Sequence, residues 1–249
     1  MSSMTFGRVP ARRLGDLVYE SLVEAIASGR VPDGSKLYED EIARQMGVSK
    51  TPVREALRHL AKDGLVEADL HRTPMVRALT RQDIDEIYRV REYLEPLVVR
   101  LVTERPGGPQ FAELLALQEG MEARFSDSNS VDLSGSVQYN QAFHRALVAA
   151  SGSERLRAIM EPLWAQFLRL SFLSHRTYRL PGKQARAISE HRGVLEAIRA
   201  GDAPRGEQLM REHIRRGHGD LVSSLPKDGE IDGNQHKEAA MTTGAGNPT

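Results

Sequence analysis

Three histidines, His144, His191 and His213, lie in separate stretches with helical periodicity: Asn140-Gln141-Ala142-Phe143-His144, Glu190-His191 and Met210-Arg211-Glu212-His213-Ile214. Imidazole nitrogen ligates divalent metals. Asn140 and His144 are four residues apart and so share one helix face. Two inward ligands from one helix and one from each of two others could enclose a cation. A lone histidine on an amphipathic helix is more commonly a packing or surface residue, and that alternative stands for each of the three. A second chemistry is cationic. Lys50, Arg54, Arg58 and Lys62 recur every four residues, while Val53, Ala56, Leu57, Leu60 and Ala61 fall on another face of the same segment. One face packs and the other is basic.

These side chains need elements to carry them. Ser49 or Thr51 can cap orphan N–H groups, and Pro52 is tolerated only in a first turn, so a helix begins near residue 50. Upstream, Glu41 to Met46 reads as a short amphipathic helix ended by Gly47, the left-handed residue that a tight turn between crossed helices needs. Downstream, Asp63-Gly64-Leu65 stops the periodicity. Leu65 to Ala68 and Met75 to Ala78 then read as two short strands around Asp69 to Pro74. A helix-turn-helix followed by a hairpin wing is the result, the shape of a DNA-reading module. The competing interpretation is an ordinary helical hairpin with a solvated charged face.

Beyond the wing the pattern is helical throughout. Asp83 opens a helix whose expected apolar face is Ile84, Ile87, Val90, Leu94 and Leu97, running towards Thr103. Further helices are expected over Phe111 to Phe125, Val137 to Ala150, Ser153 to Tyr178, Gly182 to Ala200 and Ala203 to Leu221, which makes six. Pro162 should delay or kink the fourth of them. The fold class is therefore mainly α. Residues 1–79 form a winged helix-turn-helix, residues 80–223 an all-helical bundle, and the Gly-, Asn- and Thr-rich residues 224–249 a disordered tail.

The chain has 249 residues, too many for one winged helix, so a second domain must follow it. It contains no cysteine, which excludes disulfides and thiolate metal sites and leaves only nitrogen and oxygen ligands among its eight histidines and other donors. Lys plus Arg number 34 and Asp plus Glu 34, so affinity for DNA must come from a local patch rather than bulk charge. No apolar run is long enough to cross a membrane, and the N-terminus lacks the order of a secretion signal. No membrane association and a cytoplasmic location are expected.

Leu17 to Leu79 resembles the winged helix-turn-helix of the GntR family in three runs: Glu39-Asp40-Glu41-Ile42-Ala43, Gly47 through Leu57, and Gly64-Leu65-Val66. The resemblance implies that Lys50, Thr51 and Arg54 reach base edges or phosphates, that Arg44 and Ser49 anchor backbone phosphates, and that Arg58 contacts phosphate. The family wing carries an Arg-Gly pair, whereas this chain has His71-Arg72-Thr73-Pro74. His71 and Arg72 would be its minor-groove contacts. Residues 81–221 resemble the FCD effector domain of FadR-type members, in Arg91 through Glu95, Asn140 with Phe143-His144, Glu190-His191, Gly201-Asp202 and His213.

That second resemblance implies a divalent metal on Asn140, His144, His191 and His213, with Asn in place of the family's Asp. A neutral amide binds a hard cation more weakly than a carboxylate does, and zinc or nickel suits three imidazoles best. It further implies a small carboxylate effector on the open metal positions, with Arg91 and Arg169 closing on the same anion. For Arg91 the alternative is an ion pair with Glu95; for Arg169 it is an outer-face position. The protein is then expected to be a ligand-responsive, homodimeric regulator binding double-stranded operator DNA, a repressor of a catabolic operon. Two other functions stay open, a metal-dependent hydrolase and a helical domain that only dimerises.

Overall fold

The computed structural model describes residues 14–69, 72–105, 107–126, 133–177 and 182–225. His71, Tyr178 and the tail from residue 226 lie outside the described residues. The chain begins with α1 (Leu14–Ala27), α2 (Glu39–Met46) and α3 (Lys50–Lys62), followed by strands β1 (Val66–Glu67) and β2 (Met75–Val76). The strands are antiparallel, pairing Val66 with Val76 and Glu67 with Met75. They are shorter than the sequence suggests, and Met75 also bridges Lys36 ahead of α2. Gly47 ends α2 at φ 66° and ψ 32°, its N–H donating to the Ala43 carbonyl. Only a left-handed residue closes the turn this way, which is why glycine occupies it. Ser49 sits at the cap position of α3, but its side chain makes no capping bond and is exposed.

Six helices follow: α4 (Arg81–Glu104), α5 (Pro109–Ser126), α6 (Leu133–Ala150), α7 (Glu154–Thr177), α8 (Lys183–Arg199) and α9 (Ala203–Ser224). Thr80 and Asp83 form a reciprocal capping box that starts α4. Pro162 lies within α7 without ending it. Helices α4 and α9 run against each other so closely that a Cβ at Gly206 would come within 2.7 Å of the Val99 side chain. Val98, Val99, Val102, Phe143, Met160, Ile198, Met210 and Ile214 form the bundle's apolar centre.

The inner face of α4 differs from the expected one. Ile84 and Ile87 are buried, but Val90 and Leu97 are 40% and 41% exposed, and the inner stripe instead continues through Tyr88, Arg91, Glu95 and Val98. Apolarity alone sets the helix about one residue too far round. The interior accepts Arg91 and Glu95 because they neutralise each other there.

The two halves share packing. Val137 of α6 and Ala165, Leu168 and Phe172 of α7 belong to the same apolar cluster as Val18, Leu57 and Leu60 of the winged helix. Polar contacts reinforce this seam: Gln166 donates to the Asp63 carbonyl at 2.7 Å, and Arg169 donates to the Arg77 carbonyl at 2.8 Å and pairs with Asp33. Among the described residues no helix is long and apolar enough to cross a membrane.

Candidate functional site

Helix α3 presents the basic surface. Val53, Ala56, Leu57 and Leu60 are buried, and this fixes Lys50, Thr51, Arg54 and Arg58 on the exposed side, with Arg44 and Ser49 exposed next to its start. Helix α2 answers two of these cations. Arg54 binds Glu39 in a fork, at 3.0 and 2.8 Å, and Lys50 pairs with Asp40. The hydrogen bond from Arg54 holds the Glu39 carboxyl below its ordinary range. Arg54 is therefore pre-oriented and must share or exchange Glu39 when it meets another anion. Arg72, in the wing, is exposed and 3.8 Å from Asp69.

The histidines are brought together from α6, α8 and α9, with donor-capable atoms all within 4.8 Å of one another. Each ring has one nitrogen tied outward. His144 Nδ1 faces Glu95 Oε2 at 2.5 Å, and His213 Nδ1 faces Glu190 Oε2 at 2.7 Å. A carboxylate only accepts, so His213 Nδ1 carries the hydrogen; the His144–Glu95 contact does not complete a hydrogen bond, but Arg91, which can only donate, reaches His144 Nε2 and so leaves that ring's hydrogen on Nδ1 as well. His191 Nδ1 lies 3.3 Å from the Tyr139 hydroxyl. Gln118 donates its amide to the Ile188 carbonyl and to Glu122, which leaves its oxygen to accept from Tyr139. The Tyr139 oxygen consequently accepts from His191, and this ring is protonated at Nδ1 as well.

All three Nε2 atoms are then lone pairs facing inward. Those of His191 and His213 are 3.3 Å apart, too close for two acceptors with nothing between them. Two imidazoles on one tetrahedral ion, with bonds of about 2.0–2.1 Å, would stand about 3.3 Å apart. The donor set thus fits a divalent cation, and Glu95, Tyr139 and Glu190 supply the outer contacts that orient ligand rings.

Electrostatics favour the same state. Burial lowers His144 and His213 to about 4, and it lowers His191 well below its ordinary value with help from the neighbouring rings. The rings are neutral at physiological pH, as metal ligands must be. Burial would raise Glu95, but Arg91 and His144 outweigh it and hold the carboxyl at about 2.

Arg91 joins this site. Its Nε donates to Glu95 at 2.6 Å, its Nη2 reaches His144 Nε2 at 3.4 Å, and its guanidinium lies 3.6 Å above the Phe167 ring. A cavity of about 80 Å³ opens beside it, lined also by Asn140 and His213. Arg91 thus makes the ion pair with Glu95 and also lines the cavity.

Arg169 is a correction. It lies away from the histidines, against Asp33 and Arg77 at the seam between the halves. The physical reason is the phase of α7. Phe167, Ser171 and Ser174 face the cavity, whereas Ala165, Leu168, Arg169 and Phe172 face the winged helix.

Sequence reasoning missed Gln118 and Tyr139 entirely, and it noted Glu190 only as the neighbour of His191. Glu190 points away from His191 and meets His213 and Arg216 instead. Helical geometry carried that signal; pairing across helices did not appear in it.

Comparison with known proteins follows the same division. The sequence profile of bacterial regulatory proteins of the gntR family matches residues 14–76, and that of the FCD domain matches residues 86–216. The chain is similar to the HTH-type transcriptional regulator YdhC of Bacillus subtilis, 30% identical over 79% of this chain and 85% of that protein. It is equally similar, 30% over 84% of this chain and 89% of the relative, to a Paenarthrobacter nicotinovorans protein named as a probable D-xylose utilization operon transcriptional repressor. The solved structure of Escherichia coli McbR shares the fold, with a TM-score of 0.72 at 24% identity over 85% of this chain and 98% of that one. These relatives are transcription regulators rather than enzymes. With both halves matched in order, the chain belongs to the GntR family of bacterial transcription regulators, in the group whose helical half is an FCD domain.

Proposed function

We propose that this regulator binds an operator as a homodimer and that a small carboxylate effector, held at a divalent metal in the helical half, modulates that binding. The inward convergence of three neutral imidazoles, each oriented from outside by Glu95, Tyr139 or Glu190, carries the metal part. His144, His191 and His213 would hold the ion, with Asn140 as a weaker fourth ligand beside them in the cavity wall. Zinc or nickel suits this donor set. When bound, the ion would supply a Lewis-acidic centre for a carboxylate oxygen. Arg91 then sits where it can donate to the same anion.

On DNA, Lys50, Thr51 and Arg54 would meet base edges or phosphates and Arg44, Ser49 and Arg58 the backbone, with Arg72 and His71 at the minor groove. A single winged helix makes few base contacts, so two are needed for a near-palindrome. The exposed stripe Val90, Tyr93 and Leu97 on α4 supports a second copy as its partner. Coupling would pass through α7, one face of which lines the cavity while the other packs on the winged helix. The names of the relatives support repression of a catabolic operon, and action on DNA implies the cytoplasm. The hydrolase alternative is weakened because both acids beside the histidines are engaged, Glu95 by Arg91 and His144 and Glu190 by His213 and Arg216.

The deciding experiment combines elemental analysis with operator binding. About one metal per chain, lost on any single His→Ala change, together with a carboxylate that shifts operator affinity only in the loaded protein, is the expected result. Absence of stoichiometric metal and a chelator-insensitive melting temperature would leave a helical half that only dimerises.

A further inference from the structure

The exposed surface around the start of α3 carries an acid in a place that favours cations. Asp40, in the first turn of α2, has its side chain 73% exposed and meets Lys50, the first residue of α3, through Oδ1. Its neighbour Glu39 differs. That side chain is 29% exposed and commits both oxygens to Arg54, so it serves as a buttress behind the guanidinium. A carboxylate accepts several hydrogen bonds and an ammonium donates several, so Asp40 and Lys50 each keep capacity beyond the other. They therefore offer a donor and an acceptor side by side at the head of the recognition helix. In a helix-turn-helix the N-terminal residues of the second helix meet base edges, while the first helix crosses the phosphate backbone. A carboxylate beside phosphate weakens binding, whereas one beside a base amine accepts a hydrogen bond that offsets the repulsion. Contact with Lys50 carries Asp40 to the base-reading end of α3.

We propose that Asp40 and Lys50 together read one G·C base pair in the major groove, Lys50 donating to guanine O6 and N7 and Asp40 accepting from the N4 amine of the paired cytosine. This rests on the operator binding proposed above and names a base pair within it. Cytosine N4 and adenine N6 are the base donors that a carboxylate can meet in that groove, and guanine O6 lies next to cytosine N4 across one pair. On an A·T pair the thymine methyl group crowds the O4 acceptor, and Lys50 loses the second acceptor that guanine supplies. The same acid disfavours unselected DNA, since it repels phosphate wherever no base amine is in reach. Asp40 is thus a specificity-determining residue twice over, by attraction at its own base pair and by repulsion elsewhere. A first-turn acid also favours the helix dipole, but Glu39 and Glu41 share that duty. Base preference, which a purely structural role does not move, separates the two.

The test is selection of the full-length protein against a randomised duplex library, followed by titration of the selected duplex and of a scrambled one. The unaltered chain should enrich G·C at one position of each half-site that Asp40→Ala and Lys50→Met both lose, the rest of the motif being kept. Asp40→Asn should enrich A·T there instead, because an amide bonds adenine N6 and N7. In titration Asp40→Ala should bind the selected duplex on the order of ten-fold more weakly, yet bind the scrambled duplex at least as tightly as the unaltered chain does. Lys50→Met should weaken both. An unchanged motif in Asp40→Ala, loss of different positions in Asp40→Ala and Lys50→Met, or equal tightening of Asp40→Ala on both duplexes would overturn the proposal. The operator reading fails separately. If the unaltered chain enriches no sequence, that reading falls and the base pair with it, whereas a clear motif to which Asp40 is indifferent removes the base pair alone.

Discussion

The recognition surface and the histidine site are both built from charged and polar side chains, yet they handle charge in opposite ways. Arg54, Glu39, Lys50 and Asp40 pair in water, where each partner can be traded for a phosphate or base at little cost. Arg91, Glu95, His144 and His191 are almost wholly removed from water, so each depends on a particular neighbour. The first arrangement suits a surface that must exchange partners. The second suits a site that must keep its shape until a specific ligand arrives.

Breaking the buried pair should have the largest effect. Glu95→Ala leaves the Arg91 cation buried without its carboxylate, and a loss of about 3–5 kcal/mol in urea denaturation is expected. Glu39→Ala, the exposed counterpart, should leave the unfolding midpoint nearly unchanged. Similar losses in both variants would erase the contrast.

Metal should come next. At a hundred-fold excess over its dissociation constant, a metal such as zinc should stabilise the folded chain by about 2.7 kcal/mol. His144→Ala, His191→Ala and His213→Ala should each abolish the gain, whereas Asn140→Asp should enlarge it. Unrelated behaviour of the three histidine variants would point to packing residues.

Acid should destabilise the metal-free protein, and the sign follows from the imidazoles. Their folded values near 4 lie below the ordinary 6.5, so the unfolded chain takes up protons first as pH falls. Stability is fully present above about 6.5 and is lost progressively towards 4, by up to about 1.4 kcal/mol per pH unit for each ring. Glu95 adds a further loss below its ordinary 4.5. A melting temperature of the stripped protein that does not fall between pH 7 and 5 would contradict neutral buried rings.

Two smaller effects separate the arginines. Arg54→Ala should weaken operator binding on the order of ten-fold, and more for the cognate sequence than for random DNA if Arg54 reads a base edge. Equal losses on both would assign it to phosphate. Arg169→Gln should leave carboxylate binding intact while uncoupling it from DNA affinity, since Arg169 joins the halves; Arg91→Gln should abolish carboxylate binding itself.

Local chemistry made the winged helix legible. Gly47, the Ser49 to Pro52 start and the Val53, Ala56, Leu57, Leu60 stripe are all short-range signals, and the structure places α2 and α3 where they indicate. The bundle was legible as six helices, because caps and breakers such as Asp83, Gly201 and Asp202 also act within a few residues. The strand lengths and the phase of α4 were not. Both depend on partners distant in the chain: Lys36 for Met75, and His144 for Arg91 and Glu95.

By itself the sequence determined the family, the order of elements and the identity of the three imidazoles, since these rest on residue type and local spacing. Tertiary structure decided which nitrogen each ring turns inward, because that choice belongs to Glu95, Tyr139 and Glu190 on neighbouring helices. It also decided that Arg91 faces the cavity while Arg169 faces the winged helix. Both are arginines on long helices, and only the rotation of α4 and α7 within the packed bundle, fixed by burial across the whole length of each helix, separates them.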